Sequence, residues 1–62
     1  MTSDYVINAG NDIEALEPVD TAEDIIEAEL KMNEYLKQYK FADVVYAPVD
    51  NEEVNELVYS NY

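Results

Sequence analysis

Carboxylates are the only side chains plentiful enough in this chain to suggest chemistry. Fifteen Asp and Glu stand against three lysines over 62 residues, with no histidine and no cysteine. A pair of carboxylates at a fixed separation can carry out glycoside hydrolysis. Among fifteen acids some pair always falls at a workable distance, so the spacing here points to no active site. Nucleophilic catalysis needs an activated Ser, Cys or Lys with a base beside it. Ser3 and Ser60 lie near the two ends without one. An EF-hand loop needs spaced oxygen ligands around a central glycine. "DNEEVNE" offers oxygens but no glycine, and "NAGNDIE" lacks the spaced acids. The expectation is a protein that is not an enzyme, with no cofactor, no metal site and no catalytic residue.

The formal charge of −12 excludes partners as well as chemistry. Phosphate backbones and anionic lipid surfaces repel such a chain, so neither nucleic acid nor a membrane is an expected direct partner. A basic protein surface attracts it. Asp20, Glu23, Asp24 and Glu27 recur at three- and four-residue spacing, with Glu34 two turns further on. On a helix such residues are neighbours about 5 to 6 Å apart at Cβ. A row of carboxylates at that spacing resembles the phosphates of one nucleic-acid strand. It could enter the basic channel of a nucleic-acid-binding enzyme or regulator. Ile26 and Leu30, beside the row, supply an apolar anchor, and Tyr59 and Tyr62 are contact candidates because a tyrosine buries its ring while its hydroxyl stays wet. These nine residues form the candidate partner-binding site.

In size, charge and lack of catalytic residues the chain resembles the small acidic inhibitors made by phages and mobile elements. Uracil-DNA glycosylase inhibitors and several anti-CRISPR proteins are examples, many of them DNA mimics. The resemblance is one of composition and carries no motif. It implies a nucleic-acid-mimicking inhibitor of a DNA- or RNA-processing protein. A competing expectation is a structural or assembly component, such as a minor virion protein or a small subunit, held by the apolar strip and tyrosines. An antitoxin-like partner of a basic protein is a third, and a homodimer through the helix strip is compatible with all of them.

The elements that must position these residues follow from pattern. A capping residue followed three positions later by Glu marks a helix start, and it occurs at Asn11, Asp20 and Asp50. One long central helix is predicted over about 21–40. Ile25, Ala28, Met32, Tyr35, Leu36 and Tyr39 fall on one stripe, with Ile26 and Leu30 on its flank. Short helices are predicted near 12–17 and 51–59, although 54–60 reads as a strand nearly as well. β-Branched and aromatic runs predict short strands near 4–8 and 43–47, which a parallel crossover would suit. The expected fold is a small, helix-dominated α+β domain over 1–62. An N-terminus lacking basic residues and a long apolar run reads as no signal peptide. A soluble cytoplasmic protein is therefore expected, in the host cell's cytoplasm if phage-encoded.

Overall fold

The computed structural model describes residues 3–62. It is built on strands rather than helices. Four of them, β1 (Tyr5–Gly10), β2 (Glu17–Ala22), β3 (Phe41–Tyr46) and β4 (Glu56–Ser60), form one antiparallel sheet in the order β2-β1-β3-β4. One helix among the described residues, α1 (Ile25–Tyr35), packs across β1, β2 and β3. The helix-dominated expectation is therefore wrong, and so are three of its boundaries.

The predicted helix near 12–17 is a turn leading into β2. Asp12 Oδ1 accepts from the Glu14 amide at 3.1 Å, and Asn11 Oδ1 caps the Lys40 amide instead of starting a helix. Residues 17–22 are held extended because they complete β1's hydrogen bonds, with Ile7 opposite Asp20 and Tyr5 opposite Ala22. Pro18, which lacks an N–H, is tolerated there because β2 is an edge strand. The predicted helix near 51–59 becomes β4. Val54, Leu57 and Val58 do have helical spacing, but a helix would leave the outer edge of β3 unpaired. As β4 the segment instead covers β3, whose Ala42, Asp43 and Val44 are buried, and packs Val58 against the core, a tertiary gain that outweighs local propensity.

The long helix exists but is shorter than 21–40. Its N-cap is Asp24, in extended conformation, whose Oδ1 accepts from the Glu27 amide at 2.8 Å. After Tyr35 the hydrogen bonds tighten, with the Lys37 and Gln38 amides reaching back three residues to Glu34 and Tyr35. The two predicted strands are present as β1 and β3, but they are antiparallel neighbours rather than a parallel pair. The crossover through α1 joins β2 to β3, which run parallel on either side of β1.

The core lies between α1 and one face of the sheet. It consists of Ile7, Ala9, Ala22, Ala28, Met32, Ala42 and Val44. Among the described residues, Ile7 and Val44 are the large side chains that are fully buried. Four alanines let the helix lie close to the sheet, and Tyr5, Val19, Tyr35, Leu36, Tyr39 and Val58 seal the margin. Gly10 allows the 11–16 turn to fold back onto β1. A Cβ there would stand 3.1 Å from Leu16 Cδ2 and 3.2 Å from the Ala15 carbonyl.

Candidate functional site

The five carboxylates expected as one helical row, Asp20, Glu23, Asp24, Glu27 and Glu34, do not share a helix. Asp20 is on β2, not on a helix, and it is turned inward. Its carboxylate accepts from the Thr21 amide at 2.8 Å and the Tyr35 hydroxyl at 3.1 Å, and lies 3.5 Å from Lys31 Nζ. The Thr21 bond is the main reason its carboxyl sits below the ordinary value of 3.8. Desolvation opposes the shift, while Tyr35 and Lys31 add to it. A lowered acid stabilises the fold fully above its ordinary value and loses that contribution as pH falls through the lowered one. Asp20→Asn is accordingly expected to lower Tm by about 4–8 °C at pH 7, equivalent to about 1 kcal/mol for a partly exposed group. The gap should narrow as pH falls below the ordinary carboxylate range, and thermal circular dichroism across a pH series measures it.

Glu27 pairs with Lys31 at 3.0 Å and Glu34 with Lys37 at 3.3 Å. Glu23 and Asp24 are exposed at the start of α1, whereas Glu34 is near its far end. Ile26 and Leu30 are 69% and 63% exposed, so the apolar flank strip is present on the outer surface of α1. Tyr59 borders the sheet at 36% exposure. Tyr62 is committed within the molecule, its hydroxyl donating to Asp43 Oδ2 at 2.5 Å. That bond, with desolvation second, raises the Tyr62 phenol.

A different acidic surface emerges from topology. One rung of the sheet runs Ala22, Tyr5, Tyr46, Glu56 across all four strands. Glu23 and Asp24 follow Ala22, Asp4 precedes Tyr5, and the 47–55 connection, carrying Asp50, Glu52 and Glu53, joins Tyr46 to Glu56. With Glu27 in the first turn of α1, eight acids gather at this end of the sheet with no lysine among them. The nearest lysine is Lys31, one turn further along the helix. The opposite end carries Asp12, Glu14, Glu17 and Glu34 together with Lys37 and Lys40. Sequence spacing missed this surface because its members come from segments as far apart as residues 4 and 56. The one visible signal was the complete lack of lysine after Lys40.

The acidic end is held in place from inside. The Asp4 carbonyl accepts from the Ala47 amide at 2.7 Å, and the Asp4 carboxylate accepts from the Val49 amide at 3.3 Å, tying the 47–55 connection to β1. Asn51 Oδ1 accepts from the Glu53 amide and turns that connection. The helix N-terminus also faces this end, and its partial positive charge favours Asp24 and Glu27 there. Among the described residues no cavity and no metal-binding cluster of carboxylates is present, and no helix is long and apolar enough to cross a membrane. What the surface offers is charge in a fixed array. No protein-family model matches the chain, and no match is found among curated proteins or solved structures.

Proposed function

We propose that this chain is a small acidic binding module that occupies the basic site of a nucleic-acid-handling protein in place of nucleic acid. The observation that carries the reading is the gathering of eight carboxylates at one sheet end. Carboxylates drawn together from β1, the start of α1, the 47–55 connection and β4 can displace the counterions of a basic groove much as phosphates do.

The test is binding at two salt concentrations. The protein is immobilised, basic proteins are captured from a lysate, and each purified partner is titrated with and without duplex DNA or RNA. Affinity is expected to fall at least tenfold between 50 and 200 mM salt, and nucleic acid is expected to compete. The triple variant E52Q/E53Q/E56Q should bind at least tenfold more weakly at low salt, while D12N/E14Q/E17Q stays within about twofold. Binding indifferent to salt and to the first variant overturns the reading.

A second reading has its own observation. Ile26 and Leu30 stand exposed one turn apart on α1, an arrangement suited to assembly on a larger complex. That contact would be salt-resistant and lost on Leu30→Lys.

A further inference from the structure

The two edges of the sheet are finished differently. On β2, Pro18 removes a donor and the pairing with β1 slips at Val19. The Val19 carbonyl accepts from the Tyr35 hydroxyl at 3.3 Å, and the Thr21 carbonyl accepts from Lys31 Nζ at 2.6 Å. Proline, an irregular register and a lysine over the strand are the devices that keep an edge from pairing with another chain.

β4 has fewer of them. Its sequence "ELVYS" contains no proline and no lysine. Its pairing with β3 shifts between Val44 and Val45 as β2's pairing with β1 does, so the two edges differ in proline, in lysine and in the side chains that reach their carbonyls. Among the described residues no side chain donates to a β4 carbonyl. The helix packs chiefly on β1, β2 and β3, and of β4's side chains Val58 is the one packed against the core among the described residues. Leu57 pairs with Val45 on the sheet face away from α1, and Tyr59 pairs with Val44 on the helix face. They are 57% and 36% exposed, so this border offers apolar contact on both faces together with unpaired main-chain groups. Leading into it are Asp50, Glu52, Glu53 and Glu56, with no lysine from residue 41 onward.

Resting on the basic-partner reading above, we propose that β4 receives an extended, lysine- or arginine-bearing strand of the partner protein as a fifth strand of the sheet. Main-chain hydrogen bonds give such a strand its hold, and alternate side chains give it specificity. Alternate side chains of the incoming strand fall on opposite faces: its apolar ones cover Leu57 on the face away from α1, and its basic ones meet Tyr59 and Glu56 on the helix face. A second copy of this chain is the wrong occupant. It would bring another −12 charge, and its own acidic 50–56 segment, to the same border.

The experiment uses the unaltered ¹⁵N-labelled protein, so no folding defect can imitate a negative result. Three nine-residue probes are titrated at 25 mM salt: an alternating Lys/Val peptide, an alternating Thr/Val peptide, and the Lys/Val peptide N-methylated along one edge. The Lys/Val peptide is expected to slow amide hydrogen exchange at 56–60 at least tenfold while leaving β2 unchanged. The other two should bind at least tenfold more weakly. Protection on β2, or equal binding by the methylated peptide, overturns the strand addition while leaving the salt test of the proposed function standing. Equal binding by Thr/Val overturns the basic-partner reading itself. Protection of β4 without any peptide, with doubling of mass in solution, assigns the edge to a second copy and also overturns the proposal.

Discussion

Ile7→Ala is expected to abolish cooperative folding at 25 °C, or to lower Tm by at least 15 °C. Ile7 lies within β1, fully buried, and with Val44 it supplies the large side chains wholly removed from water among the described residues. Truncating a buried isoleucine costs about 2–5 kcal/mol, because the lost transfer energy is joined by the cavity left behind. A domain of this size has about 3–9 kcal/mol in total at 0.05–0.15 kcal/mol per residue. Four of the other six residues of the core cluster are alanines, at 9, 22, 28 and 42, which leaves chiefly Met32 and Val44 to close the gap. Ile26→Ala is the control. The same atoms are removed from a site 69% exposed, and the change should stay within about 0.5 kcal/mol. Thermal and urea unfolding followed by circular dichroism separate the two; equal effects would show that the core is misassigned.

The double substitution Asn61→Ala with Tyr62→Phe should be nearly as damaging, and it should act on β4 alone. Asn61 prolongs the β3–β4 ladder with its side chain. Its Oδ1 accepts from the Ala42 amide and its Nδ2 donates to the Lys40 carbonyl, both at 2.9 Å. Tyr62 closes a polar cluster on the sheet face away from α1. Asp43, only 6% exposed, accepts there from Asn8 Nδ2 at 2.8 Å and from Tyr62. Phe41 meets the Tyr62 ring edge-on at 6.3 Å. Two neutral bonds at about 1 kcal/mol and one to a charged group at about 1.5–3 sum to about 3–5 kcal/mol. The expected result is fast amide exchange over 56–60 with β1 and β3 still protected. Uniform loss of protection would mean that β4 is not a separable unit. High pH should release the same clip. A raised phenol holds its bond below the ordinary value of 10.0 and loses it as pH rises through the higher folded one.

The helix was legible in the sequence because its signal is periodic and its inward positions are apolar. Ala28 and Met32 are buried, Tyr35, Leu36 and Tyr39 line the core, and Ile26 and Leu30 are left outside. Strands at 5–8 and 43–46 were legible from β-branched runs. β2 was not, and β4 only as the alternative to a helix at 54–60, because the capping signature saturates in so acidic a chain. Asp or Asn three residues before Glu occurs at Asn11, Asp20 and Asp50 without starting a helix, whereas Asp24 with Glu27 does start one. What distinguishes Asp24 is that β2 has already used residues 17–22, which is a tertiary fact. The core was misjudged for a related reason. Alanine adds little apolar area, yet in a two-layer domain it sets how near the helix can come. The acidic end of the sheet could not be read locally at all, since it exists only once β1, β2 and β4 lie side by side.

Placing eight carboxylates at one end of the sheet, with Lys37 and Lys40 towards the other, gives the molecule a permanent electric dipole on top of its net charge. In the field of a cationic surface such a body experiences a torque as well as a pull, and it swings into alignment before first touch. Rotational search, the step that ordinarily slows docking far below the collision rate, is thereby shortened, and most incoming trajectories would arrive with the same end leading.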